Sequence, residues 1–448
     1  MLARRSAHHR RTWWYYQITY METLRSIWKL RDLRNSLLYV LVMMLVFRLA
    51  AHIPIPGVDA TAIKQLFSNN QFFGLLNIFS GGALQQFSVV ALGVAPYITA
   101  SIIFQLLVMI IPSLEELQKE GEYGRMKINQ YTRYLAVPLA VLQAVGLITL
   151  LKNGGRAGGL HIFSSTLTSF EVATIVVTLT AGSVFLMWIG ELVSEKHVGN
   201  GISLLIFAGI LTGLVTNVQR TLSVFDATQI PSTLAFVVIG LITIVGIVVM
   251  NEGQRNVPVS YAKIVRGNKM LGGVNTHLPL RVSQAGVIPI IFAISIILFP
   301  PTIAQFLQTS SNAMVRSAAT FTQQLFANQL FYGISYFVLV FLFTYFYTAV
   351  IFHPEQIAEN LQKQGGFIPG IRPGRPTAEY LSTTINRLIL PGALFLGIIA
   401  VLPIVVQSAT GIRTLTVGGT SILIVVSVVI ESVKQIQAQI TMRQYEGY

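Results

Sequence analysis

"GVAPYI", residues 93 to 98, comes back as "GVIPII" at 286 to 291, and both read G-V-x-P-x-I inside long apolar stretches. A second pair behaves alike. Gly201-Ile202-Ser203-Leu204-Leu205-Ile206 and Gly419-Thr420-Ser421-Ile422-Leu423-Ile424 both read G-x-S-x-L-I. Either match alone could arise by chance in apolar sequence. Their weight comes from where they fall among the membrane-length runs.

Apolar residues make up 53% of the 448, charged residues 11%, and the mean hydropathy is +0.64, which places the chain among polytopic membrane proteins. A helix needs about 20 apolar residues to cross the hydrocarbon core. Runs of that kind lie at about 36 to 52, 85 to 111, 132 to 151, 170 to 192, 201 to 216, 232 to 250, 285 to 308, 328 to 352, 388 to 406 and 415 to 432. The first repeat occupies the second and seventh runs, the second repeat the fifth and tenth. Both offsets are five, an odd number, so each stretch and its mate cross in opposite directions, as in an inverted-topology repeat. The predicted fold is all-α, with ten transmembrane helices in two inverted five-helix halves, 36 to 230 and 231 to 436. Residues 1 to 35 form an N-terminal extension with an interfacial helix from Glu22 onward, and 437 to 448 form a tail. Pro96 and Pro289 each remove a backbone hydrogen bond, and a local bend is expected at both.

With ten spans both termini share a side. That side holds 24 Lys and Arg, the opposite loops hold six, and Arg48 lies in the first span. The positive-inside rule puts both termini in the cytosol of a cell membrane. No cleavable signal peptide is expected, since the arginine pairs near the start are followed by no apolar core in place.

Tools of chemistry are missing. There is no cysteine, no phosphate-binding G-x-x-x-x-G-K-S/T, no H-E-x-x-H and no G-x-S-x-G, and the seven histidines have no ligand spacing. No enzyme activity, metal or cofactor is expected. Glu171, Glu191 and Glu431 sit at span ends, whereas ion-coupled carriers bury carboxylates at mid-depth. Driving energy must come from outside the chain. The large hydrophilic surfaces are loops 251 to 284, with Lys263, Arg266, Lys269 and Arg281, and 353 to 387, with Lys363, Arg372 and Arg375. Loops of this length with turns such as "FIPGIRPGRP" dock partners. One segment fits neither water nor lipid: "QFFGLLNIFSGGAL" (71 to 84) is apolar for about nine residues, roughly 14 Å of helix, and stops at Gly81 and Gly82.

Several stretches together resemble the SecY/Sec61 protein-conducting channel family: "AHIPIPGVD" (51 to 59), "NIFSGGAL" (77 to 84), "ALGVAPYITASII" (91 to 103), "INQYTRY" (128 to 134), "GNGISLLIFAGI" (199 to 210), "THLPLRVSQAGVIP" (276 to 289), "FIPGIRPGRPTAEYL" (367 to 381) and "GGTSILIVV" (418 to 426). The likeness begins near Met21, which would make a more familiar start, and residues 1 to 20 have no counterpart in it. The resemblance implies a clamshell with a lateral gate between spans two and seven. It implies an apolar pore ring, falling here on Val94, Ile98, Ile202, Ile206, Ile291 and Ile424. It implies gate positions at Pro96, Ser101, Gln105, Asn200 and Pro289. The half-length segment is similar to the family's re-entrant plug, with Phe72, Phe73, Leu75, Leu76, Asn77, Ile78 and Phe79 as its body and Gly81 and Gly82 as its hinge.

The implied function is outward passage of unfolded preproteins with their signal sequences, and sideways release of apolar segments into membrane lipids. Implied partners are the SecE and SecG small membrane subunits, the SecA motor ATPase and the ribosome. Docking falls on Lys263, Arg266, Lys269, Lys363, Arg372 and Arg375, with Arg372 foremost. The tip at 261 to 270 departs from the proteobacterial pattern, carrying Asn268 and Lys269 in place of an arginine pair. The residues alone also admit a secondary carrier for small solutes or lipids, favoured by the inverted repeat and weakened by the lack of buried charge.

Overall fold

The structure, a computed structural model, describes residues 30–56, 58–59, 61–63, 80, 82–157, 162–163, 168–223, 230–261, 263–266, 269–272, 275–308, 312–410 and 419–446. The expected interfacial helix before residue 30 lies outside the described residues. The first half contributes α1 (Arg31–Ala50), α2 (Ala95–Ile110), a short α3 (Pro112–Lys119), α4 (Glu122–Ala157), α5 (Ser169–Ser194) and α6 (Gly201–Ser223). The second contributes α7 (Ile230–Glu252), α8 (Ile288–Leu307), α9 (Ala313–Ala327), α10 (Gln329–Ile351), α11 (Pro354–Lys363), α12 (Arg375–Thr410) and α13 (Gly419–Glu446).

Among the described residues, six helical stretches are long and apolar enough to cross a membrane, and a seventh crossing is the bent pair α2 and α3. Three shorter apolar helices, Gly201–Val215, Val237–Glu252 and Ile288–Pro301, fill the remaining predicted places. This is consistent with ten spans. Helix is the form such runs take because a backbone surrounded by lipid must satisfy its own hydrogen bonds. The exposed faces are apolar too. On α1, Leu38, Leu41, Leu45 and Leu49 recur every three or four residues and are all at least half exposed, while Leu33, Val40 and Phe47 recur every seven and are buried. An outward leucine stripe of that period suits lipid, and an inward one suits packing.

The second predicted run, 85 to 111, becomes helix only from Ala95; residues 82 to 94 pass through turns. The chain then bends by 101° at Ile111 and Pro112, where α3 leaves the line of α2. A proline opening α3 and an extended Ile111 before it account for the corner. Within each half, neighbouring helices pack in sequence, α2 on α4, α4 on α5 and α5 on α6, then α8 on α10 and α10 on α12. The halves meet where α6 touches α13 and where α2 and α4 touch α8. The two repeated motifs lie on these helices, and each motif-bearing helix touches its own mate. A two-fold axis passing between these pairs would bring each helix against its mate. A single apolar core spans the junction, with Val40, Leu186 and Ile206 from one half and Ile290, Val340 and Leu396 from the other.

The loop expected at 251 to 284 has its own fold, which the apolar pattern does not disclose. Strands β1 (Gln254–Tyr261) and β4 (Asn275–Arg281) pair antiparallel from Gln254↔Arg281 to Ser260↔Asn275, and between them β2 (Lys263–Arg266) and β3 (Lys269–Gly272) form a hairpin. The short β5 (Gly366–Phe367) from the next loop adds to β1 at Ser260 and Tyr261. The two loops are therefore one platform. Val257, Val259 and Leu280 of the sheet bury against Ile368, Leu381 and Ile385 beyond β5.

Candidate functional site: a polar vestibule closed by apolar side chains

The repeated G-V-x-P motifs start helices and do not bend them, which corrects the expectation of kinks. Gly93 has φ +61° and Gly286 φ +58°, the left-handed region that an L side chain enters only at a cost. Pro96 then lies in the first turn of α2 and Pro289 in the first turn of α8, where a missing N–H has no intrahelical partner to lose. The symmetry expected from sequence is present, as a pair of matched turns. In the second repeat, Gly201 and Gly419 are both the first residue of their helix.

The six predicted ring residues lie on or beside these four helix starts. Val94, Ile98, Ile206, Ile291 and Ile424 are each at most 8% exposed and belong to one buried cluster, against which Ile202 packs. Ile202 is set by a close helix contact. A Cβ added at Gly201 would lie 1.8 Å from the carbonyl oxygen of Gly190, and one at Gly190 would lie 2.7 Å from Ile202 Cδ1. The Gly201 N–H also donates to Ser194 Oγ at 2.9 Å. Small residues at such a crossing let α5 and α6 approach backbone to backbone.

Above this cluster opens a cavity of about 920 Å³, with Ile98, Ile202, Ile206 and Ile291 in its lining. Its walls mix apolar with polar and charged side chains. They carry the Arg133–Glu191 ion pair between α4 and α5, together with Glu195, Arg281, Glu431 and Lys434, the last paired with Glu252 at 2.8 Å. Glu191 and Glu431, set aside in the sequence as span-end residues, thus face the vestibule. Glu171 does not; its carboxylate accepts from the Thr168 N–H at 2.8 Å at the start of α5. Position at a span end is the signal that could have found the wall residues, since a funnel lies there.

Ser101, Gln105 and Asn200 also line the cavity. Gln105 Nε2 donates to Ser101 Oγ at 3.2 Å within α2, and Gln105 Oε1 is buried with no protein partner. Asn200 is held as a helix cap, its Oδ1 accepting from the Ser203 N–H at 3.1 Å. Pro96 and Pro289 are both buried.

Residues 71 to 79 and Gly81, the body and part of the hinge of the expected plug, lie outside the described residues. On either side of that glycine, Ser80 is buried with its Oγ accepting from Leu84 N–H at 3.0 Å, and Gly82 has φ +84°. Of the docking candidates, Lys263, Arg266 and Lys269 lie on the β2–β3 hairpin, where Arg266 is paired with Lys269 in register. Lys363 pairs with Glu359 at 2.8 Å and Arg375 with Glu379 at 3.3 Å. Arg372 is exposed, and its carbonyl accepts from Thr377 Oγ1 at 2.8 Å, which fixes the turn that presents it.

Two helical halves, a polar vestibule and an apolar closure between the halves define the class: a helical membrane channel. The SecY family model matches residues 88–433, and the chain belongs to the SecY family. It is 45% identical over 442 residues to the protein translocase subunit SecY of Corynebacterium glutamicum, covering 95% of this chain and 99% of that protein. It is 43% identical over 444 residues to the same subunit of Mycobacterium tuberculosis, covering 96% and 99%. Among solved structures it is similar in fold to a protein-conducting channel at TM-score 0.59 and 17% identity, covering 89% of this chain and 91% of that one. A SecY structure concerned with the plug domain and the closed state matches at TM-score 0.62 with 17% identity and the same coverage.

Proposed function

We infer that the chain is the central subunit of the protein translocation channel, passing unfolded preproteins across the membrane and releasing apolar segments sideways into lipid. It is a channel and not an enzyme. The observation that carries this reading is the set of apolar side chains from both halves, Ile98, Ile202, Ile206 and Ile291, that line the vestibule and join the apolar cluster between the halves. A ring of that kind closes by excluding water and can part around an extended chain. Family membership favours this reading over the solute carrier.

The finer assignments follow from the same picture. The halves 36 to 230 and 231 to 436 part at the α2–α8 contact, with Ser101 and Gln105 as polar groups there whose pairing sets how readily it opens. Residues 71 to 82 serve as a plug outside the ring. SecE and SecG support the helices, and the platform takes SecA or the ribosome, with Arg372 its leading contact and Lys363, Arg375 and the hairpin cations beside it. Ribosome binding accords with the fold likeness to Sec61 of a canine ribosome–channel complex, at TM-score 0.51 and 16% identity. The setting is the cytoplasmic membrane with both termini in the cytosol, an orientation the charge asymmetry favours.

Reconstitution tests the reading. Vesicles holding this chain with its small subunits, supplied with SecA and ATP, should protect an added preprotein from protease. Solute uptake without any motor, and no protection, would overturn it.

A further inference from the structure

Immediately before α8, the strand β4 ends and a short linker, residues 282 to 287, turns the chain into the helix. The linker is clamped at its first residue. The Val282 N–H donates to the Gly253 carbonyl at 2.9 Å, and Val282 O lies so near α12 that a Cβ added at Gly392 would be 2.9 Å from it. Four residues later Gly286 adopts its left-handed turn. Between clamp and turn sits Ser283, whose Oγ is buried and makes no hydrogen bond to protein.

Ser283 borders a small pocket of about 10 Å³, together with Asn251 at the end of α7 and Ser427 in α13, and all three also line the larger vestibule. Asn251 Nδ2 donates to Ser427 Oγ at 2.8 Å, which ties those two helices together. The remaining wall is apolar, with Ile247 and Leu423 almost fully buried. A cavity of this size holds about one water, and a buried water needs two to four polar partners. Three side chains supply them here, while an unpaired hydroxyl in such a place would be costly.

We propose that Asn251, Ser283 and Ser427 bind one structural water and so tether the hinge of α8 to the α7–α13 pair. They act as positioning residues, holding the start of the helix that carries Ile291 while the ring is closed. Swinging α8 away from α2 pulls Ser283 off the node, so the node opposes opening. Its gating consequence rests on the channel reading above, whereas the water site does not.

The test uses the complete channel complex in nanodiscs and in planar bilayers. A map fine enough to show ordered water should hold one peak within hydrogen-bond reach of Ser283, Asn251 and Ser427; no peak there overturns the site. Ser283→Ala should raise the resting ion conductance about three- to tenfold, the shift expected from one lost buried hydrogen bond, and Ser283→Thr should restore the parent value. Asn251→Leu provides the same reading should Ser283→Ala fail to assemble. Parent-like conductance in both, at equal assembled protein, overturns the tether. A parent complex that translocates no preprotein would instead remove the channel reading, and the map would still decide the water.

Discussion

The vestibule and the platform adjoin at Arg281, yet they carry charge on opposite terms. The vestibule lining has three acidic and three basic side chains, two of them joined in the Arg133–Glu191 pair. The two loops that build the platform hold nine Lys and Arg against four acidic residues. A balanced wall exerts little net force on a charged segment passing through it, while a surplus of one sign steers an oppositely charged surface toward it. The two surfaces differ in electrostatics as well as in position.

The largest effect should come from breaking the closure beneath the balanced wall. Replacing Ile98 and Ile206 together by Asn puts polar groups into a buried apolar cluster, and resting conductance should rise by about tenfold or more as the constriction wets. Next, Arg372→Glu reverses the exposed platform cation without touching the sheet. Motor-driven preprotein transport should fall severalfold with assembly unchanged, and normal transport by the variant would remove Arg372 from the docking surface. Gly286→Ala tests the matched turns, because a left-handed residue with a Cβ costs about 1 to 2 kcal/mol. Thermal unfolding in detergent should shift down by a few degrees, and Gly93→Ala should behave alike.

Smaller effects sharpen the comparison. Arg133→Gln and Glu191→Gln, taken singly and together, should show a coupling of about 1 kcal/mol or less in a double-mutant cycle on stability, since the Arg133 side chain is 47% and the Glu191 side chain 24% exposed. The smallest change belongs to the platform pair Glu359–Lys363. Lys363 holds the Glu359 carboxyl below its ordinary value, so whatever the pair adds to α11 is present above that value and lost as pH falls through the lowered one. Because both groups are exposed, circular dichroism of the intact channel should be flat across that window; a clear transition would show the pair to be shielded.

The comparison also shows what could be read from residues alone. Apolar runs located the helices because lipid leaves the backbone few alternatives. The ring was placed by motif, and its six positions fall among the buried or partly buried residues of the apolar cluster between the halves. Hydropathy could not distinguish helix from turns at 85 to 94, which are apolar apart from Gln85, Gln86 and Ser88 and run straight into the helix. That error made Pro96 look like an interior kink, since whether a proline bends or begins a helix depends on the residues before it. The sheet escaped notice for another reason. β5 is two residues long and finds its partner about a hundred residues away, a pairing with no local signature. The Asn251–Ser427 link, 176 residues apart, is of the same kind.

That two-residue strand has a mechanical meaning. Ser260 and Tyr261 against Phe367 and Gly366 splice the loop before α8 to the loop before α12. A motor pushing on either loop loads the other through these bonds, and β4, continuous with the linker into α8, lies on the same sheet. Work done at the surface can therefore travel as shear along one small sheet as far as the linker into α8, where the Gly286 turn is the joint at which it would become rotation.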